Sequence, residues 1–553
     1  MHSEFKFLNA NSRLVLSRGY IQPGVTAEER IHQIIRKAAQ ASKIPDFENE
    51  FLYHVQEGDV SFSSPIWSNY ALDRGLPISC NNSHVGDSIE AIVTKLAEIA
   101  TMTKNGAGTS AYFGDVRPRG SVVSTGGSSH GVMPFIELLD KKINTISQGN
   151  VRRGNCAVWI PIEHKDSMEY LEMRDEGHPI QKLSFGVTIT NEWMESMLAG
   201  DLNKRKLWLR IIQKKFETGY PYLFFYDNVN DARPQVYKDR NEFIKSSNLC
   251  TEIMEYSDDD NSFVCDLASL NLANWHQWKN SRLVRLMIYF LDAVMEEYIE
   301  KTANLKYMEA AHRFAKERRA LGLGILGLHT LFQQDRLPWS SPEAFALNNE
   351  IFSHIRSESV AASRELALIH GEPEVLKGYG MRNTTLNAIA PTKSSSTILG
   401  GGKLSQGIEP WDSNYFVENM AKTKITIRNP ELEKHLESID KNTDEVWLSI
   451  AAAGGSVQHL EFLDKRTKDV FKTFSEIDQK DIILQAADRQ RFLDHAQSLN
   501  LMVHPSMSPT ELSRLLVLAW RTKIKSQYYV HSKNVVQEHA RAQFAESCVA
   551  CEA

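Results

Sequence analysis

At 553 residues the chain is long enough for three or four domains, or for one large domain with appendages, and hydrophobic residues at 42% with charged residues at 24% are ordinary for a soluble globular protein. The formal net charge of −6 argues against sequence-independent nucleic-acid binding as the main role, while leaving room for a local basic pocket that holds phosphates. No apolar run approaches the ~20 residues that span a bilayer, and the start lacks the basic-then-apolar pattern of a secretory leader, so a cytoplasmic location and no membrane partner are expected.

Six cysteines, Cys80, Cys156, Cys250, Cys265, Cys548 and Cys551, are too few for a disulfide scaffold at this length. In a reducing compartment they are catalytic, redox-active, metal-binding or simply core.

Residues 27–42 carry apolar side chains at helical spacing, with acids early and bases late, and the first ~65 residues read as mainly helical. Pro65, Gly75 and Pro77 then punctuate the chain, and Cys80 follows a short apolar stretch ending in Ser79. Asp87 and Ser88 can cap a helix in which Ile89, Ile92, Val93 and Leu96 repeat at helical spacing. It stops at Lys104-Asn105-Gly106. Two Gly-rich runs, 106–131 and 147–154, suit phosphate binding through backbone N–H groups, or serve as connecting loops; neither is a Walker loop or a dinucleotide fingerprint. Residues 180–225 alternate strand-like and helix-like pieces, which indicates an α/β architecture.

Asn248, Cys250 and Glu252 then stand at alternating positions. In an extended backbone they would face one cavity as a small catalytic kit of amide, thiol and base; the alternative is a strand with a buried cysteine. Cys265 lies in an apolar, strand-like segment, and long helices dominate 282–370. The run 387–396 reads as a short strand ending in a hydroxyl-rich turn around Lys393, either an anion site or an N-cap cluster. Near the end Tyr528 and Tyr529 are adjacent, and Cys548-x-x-Cys551 sits on a polar tail. Chain ends are usually mobile, so core packing is excluded for this pair; a zinc site would need two more ligands, and thiol-pair chemistry favours a redox shuttle.

Together these features resemble the large, catalytic subunit of class I ribonucleotide reductases, from about Ser64 to the last residue and through several separate motifs in the family's order. The resemblance implies an α/β fold, a ten-stranded α/β barrel with a central finger loop carrying Cys250, preceded by a short helical region and followed by a flexible C-terminal tail. Residues 1–75 would form the mainly helical region, 76–530 the catalytic barrel and 531–553 the redox tail.

The implied activity is reduction of ribonucleoside diphosphates to their 2′-deoxy forms by thiyl-radical chemistry, supplying deoxynucleotides for DNA synthesis. Cys250 matches the cysteine that becomes the thiyl radical and abstracts the 3′ hydrogen, Glu252 the carboxylate that takes the 3′-hydroxyl proton, and Asn248 the amide that hydrogen-bonds the substrate hydroxyls. Cys80 and Cys265 match the reductant pair that closes to a disulfide, which requires their Cα atoms within ~7 Å. Cys548 and Cys551 match the tail pair that re-reduces it and passes the oxidation to thioredoxin or glutaredoxin. Tyr528 and Tyr529 match the stacked pair that relays a radical from a small partner subunit, which holds the metal cofactor; none is expected on this chain.

The phosphate turn resembles Pro391, Thr392, Lys393, Ser394 and Ser395, with Ser64, Ser79, Gly108, Leu249 and Thr251 as further substrate contacts. Asp87, Ser88, Ile89 and Arg117 resemble the specificity site for a deoxynucleoside triphosphate or ATP effector, and Gln148 and Arg152 the loop that carries its signal. Ser124 stands where some relatives have a second basic residue. A homodimer is expected. The stretch ahead of Ser64 is too short for the N-terminal ATP-binding cone of many relatives, so overall dATP inhibition through it is expected to be missing. Such a compact form suits a bacterium or a virus, the latter acting in host cytoplasm.

Two rivals share parts of this pattern. A cobalamin-dependent reductase shares the thiol core but needs no tyrosine relay. An inactive, nucleotide-binding regulatory homologue would not need Asn248, Cys250, Glu252, Cys80 and Cys265 together. Glycyl-radical reductases lack support because no terminal glycine motif is present. Cys156 has no assigned role beyond packing beside the Arg152 loop.

Overall fold

The computed structural model describes residues 4–124, 126–146, 154–420 and 423–532, the side chains of 418–420 and 423–425 excepted. Gln148, Arg152, Cys548 and Cys551 lie outside the described residues.

The N-terminal part is helical where the sequence pattern predicts it. Helix Ala27–Ser42 begins at a Thr26/Glu29 capping box and buries Ile31, Ile34, Ile35 and Ala38. Helix Phe47–Glu57 ends at Gly58, whose φ of +81° suits a residue without Cβ, and leads into β1 (Val60–Phe62).

Five parallel strands follow: β2 (Cys80–His84), β3 (Thr109–Tyr112), β4 (Cys156–Pro161), β5 (Ser184–Ile189) and β6 (Tyr222–Phe225). Parallel neighbours need crossovers, and helices Ile89–Lys104, Met133–Thr145 and Leu202–Thr218 lie in these connections. Next, β7 (Phe263–Asn271) runs antiparallel to β2 and to β1 and parallel to β8 (Leu321–Leu326). The hairpin β9 (Tyr415–Met420) and β10 (Thr423–Arg428) forms a separate sheet. Three short strands close the described chain: β11 (Leu501–Val503), β12 (Ser526–Gln527) and β13 (Val530–Ser532).

The sheet closes on itself. From β8, parallel bridges Leu323–Asn387 and Ile389–Gln497 carry the ladder onward; Tyr528 N then donates to Leu499 O at 2.9 Å, and β12 pairs antiparallel with β6. Two parallel halves of five segments thus meet antiparallel at β2/β7 and β6/β12, giving the expected ten-stranded barrel. Closure leaves no open sheet edge around the ring.

Strands buried on both faces should read as apolar runs. β4 and β6 do, whereas β2 reads Cys-Asn-Asn-Ser-His and is buried throughout. Its polar atoms are taken up locally: Asn82 Nδ2 donates to Ser110 Oγ at 2.7 Å and Ser83 Oγ to Glu98 Oε2 at 2.9 Å. A polar barrel wall marks an interior built for something other than packing. A second, smaller core around Leu432, Trp447, Ile450 and Phe471 lies apart from the main one.

Candidate active site

The segment Asn248–Glu252 is not the extended strand that its alternating residues predict. It is the tip of a finger whose base is an antiparallel bridge between Ser247 and Met254. The tip turns back on itself: Thr251 N donates to Asn248 O at 3.4 Å, and Thr251 adopts φ +67°. A β-branched residue in the left-handed region costs ~1–3 kcal/mol and persists only where surroundings over-determine it. Here they do. Ser498 Oγ lies 2.7 Å from Cys250 O, Ser526 Oγ donates to Thr251 O at 2.8 Å, and Ala496 N donates to Glu252 O at 2.8 Å. The segment is therefore a clamped turn rather than an extended strand.

Cys250 is buried at this tip. Asn248 Oδ1 accepts from Ile253 N at 3.1 Å, while its Nδ2 is buried without a hydrogen-bond partner. An unpartnered buried donor costs ~1–3 kcal/mol, which a ligand hydroxyl at that nitrogen would relieve. Burial pushes the Glu252 carboxyl up to about 7, opposed by its own backbone N–H and by Ser498 and Cys80. Glu252 Oε2 lies 3.3 Å from Ser498 Oγ, and Cys80 Sγ donates to Oε1 at 3.9 Å.

Cys80 and Cys265 are direct partners in the antiparallel β2/β7 register. Partners in such a ladder have Cα atoms ~4.5–5.5 Å apart, inside the range a disulfide spans. Burial, with Cys80 alongside, holds the Cys265 thiol well above its usual range. Behind it, a Cβ on Gly322 of β8 would stand 3.3 Å from Cys265 Sγ and 3.1 Å from Ala388 Cβ and would displace the tip of Leu267 at 2.4 Å, so glycine gives the thiol room without any shift of its neighbours.

The other predicted contacts fall around this core. Gly108 bridges Cys80, and a Cβ there would stand 3.4 Å from Leu249 and 3.5 Å from Ser79 O, which is ordinary contact. Ser64 is buried at the start of helix Ser64–Asn69. Pro391 leads to Thr392, at φ +60°, and then to helix Lys393–Gly400; Ser394 and Ser395 are buried in its first turn. Thr392 makes no side-chain cap; its Oγ1 accepts from Gly407 N at 2.7 Å. The N-terminal end of a helix favours an anion, which supports the anion reading over the N-cap cluster. Ser61 Oγ donates to Ser395 O at 3.1 Å and ties this turn to the segment leading into Ser64.

At the effector position, Ser88 caps helix Ile89–Lys104 through Ala91 N at 3.1 Å. Arg117 Nε donates to Asp87 Oδ2 at 2.7 Å, and Ile89 is 61% exposed. Ser124, where a basic residue would sit in some relatives, is exposed. Cys156 begins β4 opposite Thr109, and burial pushes its thiol up to about 12, as in an inert core thiol.

Tyr528 and Tyr529 have ring centroids 4.3 Å apart at 57°, so they are tilted rather than stacked face to face. They belong to a larger cluster that sequence reading missed. Tyr222 of β6 lies 4.6 Å from Tyr528, and Tyr220 OH is 2.9 Å from Tyr529 OH. The signal was the aromatic run Tyr220-Pro221-Tyr222. Ser498, His495 and Ser526 were also missed, since nothing in their residue type singles them out. Among the described residues no group of three or more His, Cys, Asp or Glu is arranged to hold a metal, and no helix is long and apolar enough to cross a membrane.

A family described as ribonucleotide reductase, barrel domain, matches residues 78–202, 199–377 and 372–530. The putative ribonucleoside-diphosphate reductase large subunit of Frog virus 3 is 34% identical over 535 residues, covering 92% of this chain and 93% of its own. The ribonucleoside-diphosphate reductase large subunit of Invertebrate iridescent virus 3 is 28% identical, with 86% of each covered. Among solved structures, the class Id ribonucleotide reductase alpha subunit of Actinobacillus ureae superposes with a TM-score of 0.91 at 48% identity, covering 97% of this chain and 99% of that one.

Proposed function

The chain belongs to the large-subunit family of ribonucleotide reductases, and from that premise we propose that it reduces ribonucleoside diphosphates to 2′-deoxyribonucleoside diphosphates with a radical supplied by a separate small subunit. One observation carries this reading: Cys80 and Cys265 face each other across β2/β7, with Glu252 of the Cys250 finger beside Cys80.

Cys250, as a thiyl radical, takes the 3′ hydrogen of the ribose. Glu252 takes the 3′-hydroxyl proton, and Asn248 Nδ2 hydrogen-bonds the hydroxyls. The 2′ hydroxyl leaves as water with a proton from one thiol of the Cys80/Cys265 pair. The second hydrogen of that pair goes to the 2′ carbon as the two sulfurs give up two electrons and close to a disulfide; Glu252 returns its proton to the 3′ oxygen, and Cys250 returns hydrogen to the 3′ carbon, leaving the thiyl radical again. A buried site protects such a radical from solvent and oxidants.

The turn Pro391–Ser395, with Ser64, Ser79 and Gly108, holds the diphosphate and sugar. Asp87, Ser88, Ile89 and Arg117 hold a nucleoside triphosphate effector, whose signal Gln148 and Arg152 carry; the active form is a homodimer. Tyr529 and Tyr528 relay the radical inward. The metal centre that generates it is assigned to the small subunit. Helix Pro509–Arg521 runs toward β12, and the groove it forms with helix Leu202–Thr218, lined by Trp208, Ile212 and Val517, supports docking of that subunit at the tyrosine end. Residues 531–553 act as the tail that reduces the disulfide and is itself reduced by thioredoxin or glutaredoxin, while 1–75 support the barrel 76–530.

The test is conversion of CDP to dCDP by the purified chain with an effector and a dithiol. Product is expected only when a class I small subunit is added, with a class Id subunit first because of the 48% identical neighbour. Turnover with adenosylcobalamin and no partner would overturn the proposal.

A further inference from the structure

His495 is fully buried and held in one tautomer. Met254 N donates to its Nδ1 at 3.0 Å, so the ring proton sits on Nε2. Nε2–H donates to Leu321 O at 3.1 Å and lies 3.6 Å from Cys265 Sγ; Glu255 Oε1 is 3.8 Å away. Burial pushes the imidazole down to about 4, so it is neutral at physiological pH and keeps this single donor. The other groups acting on the Cys265 thiol, Cys80, Glu255, Asp266 and Glu252, all disfavour a negative charge on it, and its own Sγ donates to Asp266 O at 3.8 Å, which leaves His495 Nε2–H as a donor within reach of that sulfur.

We propose that His495 is a positioning residue for the redox pair, its Nε2–H stabilising the thiolate released on Cys265 when the Cys80–Cys265 disulfide is opened. This rests on the reading of these cysteines as that pair. The direction of opening is set by placing attack on Cys80, the less deeply buried of the two sulfurs and the one beside Glu252 of the finger, with Cys265 as the leaving sulfur beside His495. An incoming thiolate therefore attacks Cys80, forming a mixed disulfide. The electron pair of the broken S–S bond departs on Cys265. The second thiol of the reductant gives its proton to Cys265, attacks the mixed disulfide and releases Cys80, so one dithiol is oxidised for one disulfide reduced. A leaving thiolate departs faster when it is better stabilised, and a buried one has no water to do this. The shared proton on His495 moves toward sulfur as charge develops there.

The experiment follows re-reduction of the oxidised full chain carrying Cys548→Ser and Cys551→Ser by dithiothreitol over time, beside an equilibrium redox titration, with thiols counted after a denaturing quench. His495→Asn keeps an acceptor for Met254 N but removes the donor at Cys265. His495→Gln keeps a donor near the Nε2 position. Loss of one hydrogen bond to the departing thiolate predicts that His495→Asn is re-reduced about tenfold more slowly, while its midpoint, which compares the disulfide with protonated thiols, stays close to the parent's. His495→Gln is expected to be re-reduced at close to the parent's rate. Equal re-reduction rates for His495→Asn and the parent would overturn the inference, as would a Gln variant that behaves like Asn. A parent in which Cys80 and Cys265 do not titrate as a two-electron couple would instead overturn the redox reading itself. Thermal melting of each variant separates unfolding from a slowed exchange.

Discussion

Glu252 shows how burial sets chemistry at single residues. A carboxyl held near pH 7 by desolvation is half ionised where the enzyme works, so turnover limited by this base rises as pH passes through about 7 and then levels. Glu252→Gln is expected to lose roughly a hundredfold or more in turnover, the size of a general-base contribution, and to abolish that rise. Stability runs the opposite way with pH. The folded-state value is raised above the ordinary one, so the stabilisation linked to the protonated form is complete in acid and is lost as pH rises through about 7. The melting temperature of Glu252→Gln relative to the parent should therefore climb between pH 5 and pH 8; a flat difference would contradict a buried, shifted carboxyl. Asn248, Cys250 and Glu252 were legible in the sequence because amide, thiol and acid are unusual company. Ser498 and His495 were not, because a serine and a histidine more than 240 residues away acquire meaning only when folding brings them to the finger.

Among the elements, helices were the most legible. Helix Ala27–Ser42 starts where Thr26 caps it and buries its apolar stripe; Ile89–Lys104 starts where Ser88 caps it but buries only Ile92 and Leu96 of the four apolar residues read from its spacing, leaving Ile89 and Val93 exposed. The finger was misread because alternate spacing is shared by a strand and a tight turn of the same length, and bonds from Ser526, Ala496 and Ser498 decide between them. The barrel segments at 387–389 and 497–499 are too short to show a period. Two glycines separate structural from ligand demands. Gly322→Ala would press on Ala388 Cβ at 3.1 Å and Cys265 Sγ at 3.3 Å as well as pushing aside the tip of Leu267, and should destabilise the barrel by ~1 kcal/mol, read as a lower melting temperature. Gly108→Ala meets nothing closer than 3.4 Å, so it should melt like the parent while its KM for the nucleotide rises several-fold. An unchanged KM would remove Gly108 from the substrate site. At the β6/β12 junction, Tyr528→Phe keeps the ring contacts with Tyr222 and Tyr529 but has no phenolic proton to release; it should bind nucleotide normally and lose small-subunit-dependent turnover.

At the scale of the whole molecule, closure of the barrel joins cysteines that are 185 positions apart in sequence, and the β6/β12 seam brings the tyrosines against the same cylinder. On the proposed reading neither end of this arrangement works alone: the radical would come from a small subunit, and the reducing equivalents by way of the tail. Replacing Cys548 with Ser should therefore leave roughly one turnover per pre-reduced site when no small dithiol is added, whereas the parent continues with thioredoxin or glutaredoxin. The most direct measurement is dCDP formation by Cys250→Ser in the complete system of small subunit, effector and dithiol, with nucleotide affinity measured in parallel. The account predicts no dCDP above background and substrate affinity within about twofold of the parent, since Ser replaces the buried thiol in nearly the same volume. Product formation by Cys250→Ser would contradict it.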